Sequence, residues 1–197
     1  YTQIEEAIKW QNEQNGIVTF CWHWKVPVDI DDDSVKGRAF YSDEIRNFSL
    51  ENAVTPGTKE YKVIIEDIDT VALYLQRLET AGVPVIWRPL HEASGSWFWW
   101  GVKDKETYKK QLCRKLWYML YDRLENYHKL TNLIWVWNGQ SKLTMVNANT
   151  YDISGTDVYP EKEDHTEQKL KYKDLAKITD TSKMTALSEV GYIPDPE

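Results

Sequence analysis

Cysteine, long apolar runs and excess positive charge are all scarce or missing in this sequence. Only two of its 197 residues are cysteines, which is too few for a disulfide framework, and we expect Cys21 and Cys113 to be buried thiols. No apolar stretch reaches transmembrane length, and no basic and then apolar leader opens the chain. Because the net charge is −7, the chain lacks the basic face that nucleic acid or an anionic membrane would need. We expect neither as a partner.

Phenylalanine is scarce as well, whereas tryptophan and tyrosine are abundant. The chain has four Phe against ten Trp and twelve Tyr. Indole and phenol rings combine an apolar stacking face with a polar atom, so they suit both protein cores and wet, sugar-like ligands. We expect most of these rings to lie in the core or on amphipathic surfaces, which leaves a minority for a ligand.

Apolar patterning divides the chain into strands that alternate with helices. Apolar runs at residues 17–24 and 83–90 predict buried strands, and three shorter segments are also predicted to be strands. Helical spacing between the strands predicts amphipathic helices, one of which runs from Ile64 and ends at Gly82. Another helix, through Leu112 and Leu124, has Asp104 as its expected N-cap. This alternation is typical of an α/β fold with a parallel sheet. The predicted strands span residues 17–24, 83–90, 133–137, 153–158 and 185–187.

Polar side chains collect where the predicted strands end. In a (β/α)8 barrel the functional residues lie at the C-terminal ends of the strands. A closed barrel has eight strands and about 250 residues, whereas only five strands are predicted here. We therefore expect further strands to flank this segment in a longer protein, since an open sheet would expose both edges. The strand-end residues are His23, Glu92, Asn138, Asp157, Tyr159 and Glu189.

Two of these residues, Glu92 and Glu189, predict glycoside hydrolysis. That reaction uses one carboxyl group to protonate the leaving oxygen and a second as nucleophile or base. The proton donor needs a raised pKa. For Glu92 the candidate causes are the aromatic wall at residues 97–100 and the negative charge of Glu189. Arg88 and Tyr159 are suitable hydrogen-bond donors to hold Glu189 ionised.

The residues around Glu92 form a motif that resembles the acid/base signature of glycoside hydrolase family 26, most of whose members are endo-β-1,4-mannanases. The motif reads Arg88-Pro89-Leu90-His91-Glu92, followed by Gly95 and by Trp97-Phe98-Trp99-Trp100-Gly101. Ser188-Glu189-Val190-Gly191 is similar to the nucleophile strand of that family. Residues 17–24, 133–138 and 157–160 add further matches in the family's order.

The resemblance implies a (β/α)8 TIM barrel of which this chain holds roughly strands three to seven, so that residues 1–197 form part of a catalytic domain. It implies hydrolysis of β-mannan, or of a related plant polysaccharide, by double displacement with retention. Glu92 would be the acid/base and Glu189 the nucleophile, with their carboxyl groups about 5–5.5 Å apart. We expect a secreted, monomeric catalytic module that needs no cofactor and that the parent protein can join to other modules.

The resemblance also marks a set of sugar-binding residues. His91 stands where related barrel glycosidases carry an Asn that hydrogen-bonds the sugar 2-hydroxyl, and mannose holds that hydroxyl axial. Trp97 is expected to stack on a sugar ring, whereas Trp137 has two open roles, as a subsite wall or as a packing residue. The remaining members of the set are His23, Arg88, Asp157 and Tyr159.

No metal site is predicted. Asp29, Asp31 and Asp33 occupy the first three ligand positions of a calcium hand, but Ser34 and Phe40 stand where that motif needs Gly and Glu. We interpret this stretch as a solvated acidic loop. The sequence also has no glycine-rich phosphate loop, zinc-type Cys/His spacing or nucleophile elbow, which argues against kinase, metalloprotease and esterase functions.

Two alternative functions stay open at this point. Within the family, mixed-linkage β-glucanases and β-1,3-xylanases share the catalytic pair, and only the loops around the pocket separate their substrates. From another class, a non-catalytic carbohydrate-binding module would also be rich in aromatic residues. Such modules are usually β-sandwiches, so the long predicted helices argue against one.

Overall fold

The computed structural model describes residues 2–102 and 107–195. In chain order the elements are α1 (Thr2–Gln14), β1 (Val18–Trp22), β2 (Val26–Pro27), β3 (Arg38–Ala39), α2 (Leu50–Ala53), α3 (Lys59–Thr80), β4 (Val85–Pro89), α4 (Thr107–Tyr121), a π-helical turn (Asp122–Tyr127), β5 (Leu133–Trp137), a 3-10 turn (Ala148–Thr150), β6 (Ile153–Val158), α5 (Lys169–Ile178) and β7 (Met184–Val190).

The centre of the fold is a five-stranded sheet in the order β1-β4-β5-β6-β7, in which every neighbouring pair is parallel. β5 and β6 have the predicted bounds, β1 and β4 are shorter than predicted, and β7 is longer. The predicted α/β class is confirmed. A parallel sheet connected by long helices is not the β-sandwich expected of a carbohydrate-binding module.

Helix α3 shows why the segments between strands are helical. Its N-cap is Thr58, whose side chain accepts a hydrogen bond from the Tyr61 amide. It ends in a Schellman motif, in which Gly82 has a φ of 73° and the Val83 amide donates to the Leu78 carbonyl at 2.9 Å. Its buried face follows the helical period and consists of Glu60, Ile64, Ile68, Ala72, Leu75 and Leu78.

Aromatic packing fixes α4 against the sheet. The Trp117 ring meets the rings of Trp135 and Trp137 edge to face, at centroid distances of 5.3 and 4.7 Å. Trp117 and Trp137 are fully buried. Of the two roles open for Trp137, the structure therefore favours packing against a helix, because its ring has no exposed face to offer a sugar.

The segment between β1 and α2 contains a hairpin that sequence patterning did not predict. β2 and β3 pair antiparallel over two residues each, and strands this short cannot show a two-residue apolar period. The segment that follows braces the aromatic wall, since the Ser42 amide donates to the Trp97 carbonyl at 2.7 Å and the Trp99 amide to the Phe40 carbonyl at 3.1 Å.

The acidic stretch in this loop contacts its own neighbours. Asp29 Oδ1 accepts a hydrogen bond from the Asp31 amide at 3.0 Å, and Asp31 pairs with Lys59 Nζ at 2.6 Å. Farther along the chain, the expected N-cap of α4, Asp104, lies outside the described residues. Within the described ranges, no helix combines the length and the apolar character needed to cross a bilayer.

Candidate active site

A strained turn presents Glu92 at the C-terminal end of β4. Leu90 and Glu92 have φ angles of 50° and 53°, in the left-handed region that residues other than glycine rarely occupy. Asn138, which directly follows β5, supports this turn because its Oδ1 accepts a hydrogen bond from the Glu92 amide at 2.8 Å. Backbone strain of this kind concentrates at functional positions, where the surrounding structure maintains it.

Arg88 lies between two carboxylates from neighbouring strands. Its Nη1 donates to both oxygens of Asp157, at 3.0 and 3.1 Å, and its Nη2 donates to Glu189 Oε2 at 2.5 Å. The Asp157 side chain is 0% exposed, whereas that of Glu189 is 36% exposed. Burial raises the pKa of Asp157, and the Arg88 charge opposes that rise. The guanidinium thus compensates the buried charge and fixes both carboxylates in place.

A β-bulge turns two neighbouring side chains of β7 toward this cluster. The register between β6 and β7 shifts just before Asp157, which pairs with Glu189 and leaves Ser188 as the extra residue. Successive residues of a regular strand point to opposite faces. Here, however, Ser188 Oγ donates to Asp157 Oδ1 at 2.7 Å while Glu189 reaches Arg88. Bulges often redirect side chains in this way beside active sites.

Asn138 and Gly155 complete the buried polar cluster. Asn138 Nδ2 donates to Asp157 Oδ1 at 2.8 Å and to Ser188 Oγ at 2.5 Å. A Cβ atom on Gly155 would lie 2.5 Å from Ser188 Oγ and 3.1 Å from Asn138 Nδ2, so this position has no room for a side chain. Since Asn138 also binds the Glu92 amide, it joins the strained turn to the carboxylate cluster.

Glu92 is half-buried beside an indole. Trp97 Nε1 donates to Glu92 Oε2 at 2.7 Å, and the Trp97 ring is 47% exposed, so a ligand can reach it. Burial raises the pKa of Glu92, and the negative charges of Asp157 and Glu189 add to the rise. The Trp97 hydrogen bond and the Arg88 charge act in the opposite direction. A raised pKa suits a proton donor.

Glu189 has different surroundings, with a hydrogen-bond donor at each carboxylate oxygen. Oε2 accepts from Arg88, and Oε1 accepts from the hydroxyl group of Tyr159, which directly follows β6. Gly191 leaves space for the Tyr159 ring, since a Cβ atom there would lie 3.0 Å from Tyr159 Cδ1. The two glutamates therefore differ in environment as the acid and the nucleophile of a glycosidase do.

Two histidines and a cysteine lie beside these carboxylates. Cys21 Sγ is 3.2 Å from His91 Nδ1, and the rings of His23 and His91 meet edge to face with centroids 4.7 Å apart. Burial lowers the pKa of His91 to about 3, and the charges of Arg88 and His23 contribute. Burial raises the pKa of the Cys21 thiol to about 11. His91 and Cys21 are therefore both neutral near pH 7.

The expectation for the cysteines was half right. Cys113 is fully buried in the core, as predicted. Cys21 is only half-buried, because it stands on the face of β1 that turns toward the strand-end cluster.

Apart from Trp137, the structure brings the predicted site residues together at one end of the sheet. They form a set in which His23 contacts His91 and Trp97 contacts Glu92. Sequence reasoning assigned no role to Asn138 or Ser188. The position of Asn138 directly after a buried strand was a usable signal, whereas regular alternation would turn Ser188 away from Glu189. The set comprises His23, Arg88, His91, Glu92, Trp97, Asp157, Tyr159 and Glu189.

Known proteins resemble this chain along nearly all of its length. The family model described as Glycosyl hydrolase family 26 matches residues 2–197. Mannan endo-1,4-beta-mannosidase A of Piromyces sp is 44% identical over 197 residues, which cover 97% of this chain and 29% of that protein. The chain thus spans less than half of the curated relative.

Solved structures show the same architecture. The GH26-CBM35 β-(1,4)-mannanase of Podospora anserina superposes with a TM-score of 0.86 at 39% identity, covering 100% of this chain and 43% of that one. A β-mannanase from a symbiotic protist of the termite Reticulitermes speratus, complexed with gluco-manno-oligosaccharide, gives a TM-score of 0.87 at 34% identity and covers 100% and 59%. The five parallel strands are part of a (β/α)8 barrel. The chain belongs to glycosyl hydrolase family 26.

Proposed function

We propose that this chain carries the catalytic centre of an endo-acting β-1,4-mannanase, which hydrolyses mannan and glucomannan by double displacement with retention. Family membership supports glycoside hydrolysis, and relatives named mannan endo-1,4-beta-mannosidase support mannan as the substrate. One observation carries the mechanism, namely the different surroundings of the two carboxyl groups: burial raises the pKa of Glu92, whereas Glu189 accepts hydrogen bonds from Arg88 and Tyr159.

In the first step, Glu92 protonates the glycosidic oxygen while Glu189 attacks the anomeric carbon. The C–O bond to the leaving sugar breaks, and the proton of Glu92 goes to that oxygen. Burial keeps Glu92 protonated to a higher pH than an exposed glutamate, and the neighbouring carboxylates strengthen the effect. Arg88 and Tyr159 orient the Glu189 carboxylate for attack.

In the second step, Glu92 acts as a base. Once Glu189 is esterified it is uncharged, so one cause of the raised pKa of Glu92 disappears. Glu92 then takes a proton from water, which attacks the anomeric carbon and releases Glu189. The environment of Glu92 thus changes in the direction that the change of role requires.

The remaining residues position the sugar. Neutral His91 can offer a hydrogen bond to the sugar 2-hydroxyl, and His23 lies against it at the same end of the sheet. The open ring of Trp97 can stack on a pyranose while its N–H binds Glu92. Asp157 binds Arg88 and Tyr159 donates to Glu189. A sugar that contacts either residue is therefore connected to the position of Glu189.

The whole protein is proposed to contain the other strands of the barrel, which would pair with β1 and β7 and complete the sugar cleft. Because an intact polysaccharide cannot enter a cell, the enzyme is proposed to be secreted. It is further proposed to be a monomeric catalytic module that needs no cofactor. The Podospora anserina structure, a GH26-CBM35 mannanase, supports the expectation that further modules can be attached.

Glu189→Ala tests the assignment of the nucleophile. We expect turnover of an activated aryl mannoside to fall by on the order of 10⁴-fold, because the attacking carboxylate is gone. Added azide should restore turnover with a glycosyl azide as product, since the small anion can occupy the vacated space. Glu161→Ala is a matched control, because it removes an exposed glutamate from the loop after β6 and should leave turnover unchanged.

Retention has its own readout. Proton NMR of the wild-type reaction should show the β-anomer of the new reducing end before mutarotation mixes the anomers. An α-anomer formed first, or full activity in Glu189→Ala, would contradict the proposal. Side-by-side hydrolysis of glucomannan, barley β-glucan and β-1,3-xylan tests the substrate, and a preference for either of the last two would replace mannan.

A further inference from the structure

Three potential metal-ligand atoms, one sulfur and two imidazole nitrogens, lie close together beside the proposed catalytic pair. Cys21, His23 and His91 each offer one donor atom, and these atoms lie within 4.8 Å of one another. Cys21 is in β1, and His23 directly follows Trp22, the last residue of that strand. His91 comes from the strained turn after β4. The mechanism proposed above gives Cys21 no role.

The spacing suits a tetrahedral zinc ion. Zn–S bonds of about 2.3 Å and Zn–N bonds of about 2.0–2.1 Å place neighbouring ligand atoms about 3.3–3.7 Å apart. Cys21 Sγ and His91 Nδ1 are already 3.2 Å apart. His23 is exposed, and its donor atom lies within 4.8 Å of the other two. A set of one thiolate and two imidazoles also favours Zn²⁺ over Mg²⁺ or Ca²⁺, which prefer oxygen ligands.

The positive charge of Arg88 beside these three residues is partly offset by carboxylates. Arg88 is the neighbour that would repel a cation, because it pairs with Cys21 in the β1–β4 register. Its guanidinium is bound to the carboxylates of Asp157 and Glu189, which direct its hydrogen bonds away from the proposed ligands.

We propose that Cys21, His23 and His91 bind Zn²⁺ and leave a fourth position open, and that bound Zn²⁺ and bound sugar exclude each other. The exclusion rests on the proposed function, in which His23 and His91 contact the sugar. On binding, the thiol proton leaves to solvent and a Zn–S bond replaces the S–H bond. Free zinc would then act as a reversible inhibitor of the hydrolase.

Cobalt substitution tests the metal site without any assay of activity. Co²⁺ added to the purified protein should give the near-ultraviolet charge-transfer band of a thiolate–cobalt bond, and Zn²⁺ should displace it. Cys21→Ser should abolish the band and weaken Zn²⁺ binding, measured by calorimetry, at least about tenfold. His23→Gln should weaken binding to a similar extent. Cys113→Ala is the matched control, since it removes the buried thiol in α4, and it should keep the band.

The outcomes separate the two proposals. A Co²⁺ band that survives Cys21→Ser, or Zn²⁺ affinity unchanged in both Cys21→Ser and His23→Gln, would overturn the site. Mannohexaose should weaken Zn²⁺ binding to the wild-type protein, and an affinity unaffected by the sugar would overturn the exclusion. A protein that binds Zn²⁺ through Cys21 but does not cleave mannan would refute the proposed function and leave the metal site standing.

Discussion

Arg88→Met removes the guanidinium from the carboxylate cluster and keeps an unbranched side chain. The Asp157 side chain is 0% exposed and the Arg88 side chain only 8%. Breaking this pair therefore leaves an uncompensated buried charge, which costs about 3–5 kcal/mol of unfolding free energy. The Glu189 side chain is 36% exposed. Solvent therefore screens the charge left when its ion pair with Arg88 is lost, and this second loss adds little to the destabilisation. For a chain of this size each kcal/mol lowers Tm by about 2–4 °C, so Tm should fall by on the order of 10 °C.

The loss should also depend on pH in a defined direction. Burial already raises the pKa of Asp157 and Arg88 opposes the rise, so the substitution raises that pKa further. Because its folded-state pKa lies above the unfolded value, Asp157 contributes most to the stability of the variant below the unfolded pKa of about 3.9. That contribution then falls as the pH rises toward the folded-state pKa. The deficit relative to the wild type should therefore be larger at neutral pH than in acid.

Urea unfolding of the wild type, Arg88→Met, Asp157→Asn and the double variant measures these terms. At neutral pH the double variant should be more stable than Arg88→Met alone, because the asparagine amide carries no charge to leave unpaired. The coupling between the two positions should be about 1–3 kcal/mol. A cost of less than about 1 kcal/mol for Arg88→Met, or an equal deficit at neutral and acidic pH, would contradict the predicted role of this ion pair. So would free-energy losses of Arg88→Met and Asp157→Asn that simply add in the double variant.

Two further substitutions test the surroundings of the cluster. Trp97→Phe keeps an aromatic face but removes the N–H that binds Glu92, so the pKa of Glu92 should rise. The alkaline limb of the kcat/KM profile, where the acid loses its proton, should then move to higher pH, and an unmoved limb would refute this role. Gly155→Ala puts a Cβ atom 2.5 Å from Ser188 Oγ, and thermal unfolding should show a loss of about 1–3 kcal/mol. Adding Ser188→Gly should recover part of it, and no recovery would point to another cause.

Patterns that depend on near neighbours could be interpreted without a structure. The continuous apolar run of β5 predicted that strand to the residue, because burial on both faces demands such runs. β6 also has its predicted bounds, although its sequence Ile-Ser-Gly-Thr-Asp-Val is not apolar throughout. The spacing of Ile64, Ile68 and Leu75 and the final Gly82 predicted α3 and its end, although the helix begins at Lys59, before the predicted start. Glu92 and Glu189 were predicted to be catalytic because the C-terminal ends of parallel strands meet at one edge of the sheet.

Contacts between distant segments were beyond the reach of such patterns. The β2–β3 hairpin has strands of only two residues, so no periodicity marked it. The bulge that turns Ser188 toward Asp157 depends on the register of two strands, and regular alternation predicts the opposite direction. The contact of Trp137 with Trp117 likewise resolved a choice that its position in β5 had left open.

The amino-acid sequence on its own determined the order of strands and helices and the family motif, and it indicated Glu92 and Glu189 as the proposed catalytic pair. Each of these depends on residues within a short stretch of chain. Only the tertiary structure decided how Arg88 joins Asp157 to Glu189, and that Cys21 faces His91. The partners in those contacts lie 69 and 101 positions from Arg88 and 70 positions from Cys21. Packing of the strands, and not local propensity, brings them within bonding distance.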